Sequence, residues 1–214
     1  DIVRRTWRLT GRIQNMTRLL ESAGVFILSF PHDHRHVDAV TVRGEGVTAV
    51  IMVRDDLPPE RRRWTLAHEL GHLVMDDSST LDPRLLEARA DAFAGQFLAP
   101  FEDLADDLDN ITPSQIDRLD SLRRYWGISL AALVRTAYHG GSITEHQYRY
   151  WFRVLNAQGR LRGPRDGTWV EHPRAAGMLM ESLRAEGYSL QELLAQARTR
   201  HSDLERRLGT QWPW

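Results

Sequence analysis

Apolar residues change their spacing along the chain, and the spacing of each segment implies its element. Residues 10–23 place Ile13, Met16, Leu19 and Leu20 on one face of an amphipathic helix, with Gly24 as its stop. Residues 25–30 form a short apolar run that suits a buried strand. Residues 37–42 alternate, Gly44-Glu45-Gly46 reads as a turn, and residues 47–53 are apolar and rich in β-branched side chains. Together they predict a small antiparallel sheet with a hairpin at the glycines. Pro58-Pro59-Glu60 then opens a helix running to about Met75, and Asp82-Pro83 opens another running to about Leu98, before Pro100. The rest is helical. Thr112-Pro113-Ser114-Gln115 and Thr144-Glu145-His146-Gln147 are capping boxes, and Gly127 and Gly140-Gly141 are stops. A Gly- and Arg-rich loop at 159–167 interrupts the pattern, and further helices follow from about Pro173 to Leu208.

The expected class is therefore α+β: a small antiparallel sheet, a helix pair, and a mostly helical C-terminal part. The loop at 159–167 is the best internal boundary, giving expected regions 1–158 and 159–214, the second separate or part of the same domain.

Composition narrows the function. With 214 residues and 42% hydrophobic side chains, the chain can bury a core as one domain or two small ones. A net charge of -1 does not suit a protein that coats nucleic acid, so no direct nucleic-acid binding is expected. The run Arg61-Arg62-Arg63 reads as a solvated helix face. The chain has no cysteine, which excludes disulfides, thiol catalysis and cysteine-type zinc sites; a reducing cytoplasm is the expected location. No apolar run approaches the roughly 18 residues of a membrane span. The first residue is Asp1 rather than Met, which suggests a processed protein or a piece of a longer one with a preceding domain.

The informative segment is Ala67-His68-Glu69-Leu70-Gly71-His72, a His-Glu-x-x-His pattern inside a helix. Residues four apart share a helix face, so His68 and His72 can aim their imidazoles at one metal. Glu69 is then placed to take a proton from an attacking water, as a general base. Gly71 costs helix stability, roughly 1 kcal/mol relative to Ala, and close packing of another backbone would explain it. The plain alternative is two helix-face histidines with an incidental acid.

A third ligand is available downstream. The position six after His72 is Ser78, which rules out the class using a third histidine. In Glu87-Ala88-Arg89-Ala90-Asp91, Glu87 could complete a two-His, one-Glu site, and Asp91 could accept a hydrogen bond from a ligand histidine. Two acids four apart on a helix repel each other, and a nearby dication removes that penalty.

The flanking sequence resembles the ImmA/IrrE family of metallopeptidases. The resemblance rests on residues 63–74, on Glu87-Ala88-Arg89-Ala90-Asp91-Ala92-Phe93-Ala94, and on Leu98-Ala99-Pro100. It implies a zincin-like helix pair, His68, His72 and Glu87 as ligands of one zinc ion per chain, and Glu69 as catalytic base. It further implies a protein substrate of the helix-turn-helix repressor or antitoxin class, in stress responses and transcription regulation. The ligand set also suits manganese.

Other residues are less specific. His32, His34 and His36 read as an exposed polar loop. Tyr138, His139, Tyr148 and Tyr150 are candidate oxyanion donors by type, with Tyr148 and Tyr150 preferred. Trp126, Trp151 and Phe152 are expected in the core. The tail at 188–208 could be mistaken for a helix-turn-helix, but its interspersed acids favour packing or protein recognition. Residues 47–53 are a candidate sheet edge for holding an extended substrate. The leading expectation is a gluzincin-like endopeptidase. The alternative is a non-catalytic, metal-containing module that sequesters or senses a transcription regulator. Oligomeric state is not legible.

Overall fold

The computed structural model describes residues 2–30, 37–44, 47–75, 82–161 and 170–196. His32, His34, His36, the turn residues Glu45 and Gly46, most of the 159–167 loop and the tail beyond 196 lie outside them. The described elements run α1 (Ile2–Thr6), α2 (Met16–Ser22), β1 (Phe26–Phe30), β2 (Ala39–Gly44), β3 (Val47–Arg54), α3 (Pro59–Met75), α4 (Pro83–Leu98), α5 (Phe101–Leu108), a 3-10 turn (Pro113–Gln115), α6 (Ile116–Trp126), α7 (Leu130–His139), α8 (Glu145–Ala157), α9 (Ala175–Ala185) and α10 (Leu190–Gln196). The α+β class stands. None of the described helices is long and apolar enough to cross a membrane.

The chain divides into two compact units that do not follow chain order: Asp1–Gln14 with Pro58–Val170, and Asn15–Leu57 with Glu171–Trp214. The second unit holds the sheet. Its strand order is β1-β3-β2. β2 and β3 form the expected antiparallel pair, but β1 lies parallel to β3, so the sheet is mixed rather than purely antiparallel. This pairing sets Ile27 beside Ile51, both fully buried, whereas β2 offers Thr41 and Arg43. Each such buried aliphatic contributes roughly 1.5–3 kcal/mol. The same order corrects a second expectation. β3 is the central strand, bonded on both sides, and cannot serve as an edge for a substrate. β2 is an outer strand, with Val40 and Val42 42% and 52% exposed.

Two glutamates tie the later segment into this unit. The buried Glu171 carboxylate accepts from the Met16 and Thr17 N–H groups at 3.0 and 2.7 Å, satisfying donors at the start of α2. In return Glu21, in α2, accepts from the Arg174 and Ala175 N–H groups at 2.8 and 2.9 Å, at the start of α9. α2 is shorter than the apolar spacing implied. Asn15 caps it, accepting from the Arg18 N–H at 2.7 Å, and Gly11 turns the preceding chain with φ +58°.

The first unit is helical. Its core includes the fully buried Leu66, Phe97, Leu98, Leu104, Leu133 and Trp151. Trp126 is also buried, as expected, while Phe152 is half-buried. The helix boundaries follow their capping chemistry. Asp82 caps α4 through the Arg84 N–H, Thr144 forms its capping box with Gln147, and Gly127 ends α6 with φ +67°.

The arginine run departs from expectation. Arg61 is exposed, but Arg62 and Arg63 are buried, and so is Glu60. Arg63 donates to the Gly127 carbonyl at 3.1 Å and to the Ile13 carbonyl at 2.8 Å. Glu60 pairs with the buried Arg123 of α6. These contacts orient α3, the helix that carries the candidate chemistry, from its first turn.

Candidate metal centre

α3 and α4 pack closely where Gly71 faces Ala90. A Cβ on Gly71 would lie 3.2 Å from the Ala90 Cα and 3.1 Å from the Phe93 ring. The backbone approach that Gly71 implied is therefore real, and a side chain there requires Ala90 and the Phe93 ring to give by a few tenths of an ångström. The packing has a direct consequence for chemistry. Gly71 precedes His72 and follows His68 by three residues. Ala90 precedes Asp91 and follows Glu87 by three. Bringing these two points together brings both histidines against both acids.

The donors converge accordingly. The Nε2 atoms of His68 and His72 are 3.0 Å apart. Glu87 places Oε2 3.2 Å from the His68 Nε2 and Oε1 3.5 Å from the His72 Nε2. A tetrahedral zinc site with bonds of about 2.0–2.1 Å needs donors about 3.3 Å apart. The three groups fit that requirement, and their ligand atoms all lie within 4.8 Å of one another. The structure brings together the three residues expected from the sequence. The His68 and His72 side chains are 17% and 21% exposed while Glu87 is 64% exposed, so the cluster is accessible from the α4 side. Glu69 follows His68 on α3 and is half-buried.

Behind the cluster, Asp91 accepts from the His68 Nδ1–H at 2.9 Å. This bond orients the ring so that Nε2 faces the other donors. It is also the main reason the His68 pKa is raised; partial burial opposes it, and the charges of Asp91, Glu87 and Glu69 add to it. The same field that holds a proton on His68 favours a divalent cation among the ring nitrogens. The Asp91 pKa is lowered, chiefly by the hydrogen bond to His68 against partial burial, with help from the His68 charge, the Trp64 N–H and the Arg135 charge.

Trp64 and Arg135 were not singled out as site residues from the sequence. The Trp64 Nε1–H reaches the Asp91 Oδ1 at 3.4 Å. Trp64 stands four before His68, so helical spacing alone could have suggested it. Arg135 is on α7, and only the fold relates it to Asp91. The tyrosines have other company. Tyr148 stacks near Tyr138 and Phe152, at 4.6 and 4.8 Å between ring centroids, and Tyr150 lies under the Arg153 guanidinium at 5.4 Å. Among the described residues no hydrogen bond joins Tyr148 or Tyr150 to the metal cluster.

A family model described as the IrrE N-terminal-like domain, Peptidase_M78, matches residues 20–138. No curated protein matches. A solved structure named as a Mycobacterium tuberculosis transcriptional regulator is similar over 56% of this chain and 38% of its own, with 17% identity and a TM-score of 0.41. The match thus spans well under half of that protein's length.

Proposed function

Because the chain belongs to the IrrE N-terminal-like peptidase family, we propose that it is a zinc-dependent endopeptidase acting on a regulatory protein. The observation that carries this reading is the convergence of His68, His72 and Glu87, whose closest donor atoms are 3.0, 3.2 and 3.5 Å apart. His68, His72 and Glu87 hold the ion, and manganese is the alternative occupant. When bound, a divalent ion supplies Lewis acidity, making water more acidic and a peptide carbonyl more electrophilic.

The protein's own residues do the rest. Glu69 accepts the proton of the attacking water and returns it to the leaving amine. Asp91 holds the His68 ring in one tautomer and orientation. The exposed Glu87 side leaves room for a polypeptide to approach. The substrate proposed is a helix-turn-helix repressor or antitoxin, the class that the ImmA/IrrE resemblance implies, in the cytoplasm.

The test is incubation of the full chain with candidate helix-turn-helix repressors or antitoxins, with zinc and with a chelator, read by mass spectrometry. Two fragments that sum to the substrate plus one water, formed with zinc and absent with chelator, are expected. Stable binding with no fragment under any metal condition would replace hydrolysis with sequestration.

A further inference from the structure

Asp91 is reached by two donors. His68 Nδ1 lies 2.9 Å from its Oδ1, and Trp64 Nε1 lies 3.4 Å from the same oxygen. An indole N–H can only donate, so it holds that oxygen as an acceptor whatever the state of the histidine. The indole is itself seated. Its far edge rests over Gly95 of α4, where a Cβ would lie 3.4 Å from the ring. The six-membered ring thus lies at ordinary van der Waals distance from α4 while the pyrrole N–H turns toward Asp91. Trp64, His68 and His72 follow at spacings of four on α3, and Glu87, Asp91 and Gly95 follow at spacings of four on α4. The two helices thus face each other in three matched layers: indole on Gly95, carboxylate on His68, and donors on one another.

From this ladder we infer that Trp64 is a positioning residue of the metal centre, acting through Asp91 on His68. The inference rests on the metallopeptidase reading but goes beyond its ligands and base. With the N–H in place, Asp91 is fixed at two points and presents the oxygen that orients His68. Without it, His68 is the remaining hydrogen-bond donor to Asp91 among the described residues, and more than half of the Asp91 side chain, 59%, is open to water. The carboxylate then turns toward solvent part of the time, and His68 loses its fixed orientation.

Trp64→Phe keeps an aromatic side chain on this face of α3 and removes the N–H. Zinc affinity, measured on the full chain by competition with a chromophoric chelator, should fall about 3- to 10-fold, less than the roughly 10- to 100-fold expected for Asp91→Ala. The double variant should match Asp91→Ala alone, since the indole has nothing left to act through. Independently of metal, the Trp64 indole N–H resonance, assigned by its loss in Trp64→Phe, should shift in metal-free Asp91→Ala. Zinc affinity of Trp64→Phe within twofold of the parent would overturn the inference. So would equal weakening of the parent and Asp91→Ala backgrounds by Trp64→Phe, or an unmoved indole resonance. A parent chain that binds no zinc while the indole resonance still shifts would overturn the metal reading itself and leave the Trp64–Asp91 contact standing.

Discussion

Glu69→Gln should lower the rate of peptide cleavage by about 100- to 10,000-fold, the usual contribution of a positioned general base. The amide is nearly isosteric with the carboxylate but cannot take a proton at neutral pH. Glu69 is not among the donors that converge with His68 and His72, so zinc content should be unchanged. The loss should fall on kcat rather than KM, because the interaction is made only as the water attacks. Cleavage within tenfold of the parent, at equal zinc content, would remove Glu69 from the mechanism.

The second large effect concerns stability. Arg123→Ala should destabilise the protein by about 3–5 kcal/mol, the usual cost of removing one partner of a buried ion pair. Arg123 pairs with Glu60, and the two side chains are only 3% and 5% exposed. Its Nε also donates to the Asp120 Oδ1 at 2.8 Å, and that aspartate further receives Arg124 and Arg160. Removing Arg123 leaves Glu60 in the first turn of α3 without this partner and weakens the hold on Asp120. For a chain of this size the melting temperature should fall by roughly 6–20 °C. A denaturant titration that finds less than about 1 kcal/mol of difference would show that the pair is dispensable. The cluster also carries a pH signature. Burial alone would raise the Asp120 pKa, but its hydrogen bonds to Arg124 and Arg123 and their charges outweigh it, and the net shift is downward. Its contribution to stability is therefore present above the unfolded carboxylate pKa and is lost as pH falls through the lowered folded value.

The chemistry was legible because it is local. His68 and His72 are one helical turn apart, and Glu87 and Asp91 repeat that spacing on a helix whose start is marked by Asp82-Pro83. Gly71 announced a close approach, and only the fold named Ala90 as the backbone that makes it. What was not legible depends on contacts far apart in sequence. Arg62 and Arg63 look like a solvated run because their surroundings come from elsewhere; for Arg63 these are the carbonyls of Ile13 and Gly127. The central position of β3 could not be read from its apolar pattern, since an edge and a centre strand share it until the partners are known. Nor does chain order show that residues after 170 join the sheet unit, because Glu171 and Glu21 make that connection across more than 150 residues, with separations of 154 and 155 for Glu171. Trp64 stands between these cases, since its spacing from His68 is local and its partner Asp91 is not.

On the proposed function, His68, His72 and Glu87 form one metal site. Its most direct test is metal analysis of the purified full chain, alongside His72→Ala and Glu87→Ala, with circular dichroism to verify folding. One zinc per chain is expected in the parent, and its loss in both folded variants. A folded parent that carries no divalent metal, and takes up neither zinc nor manganese on titration, would contradict it.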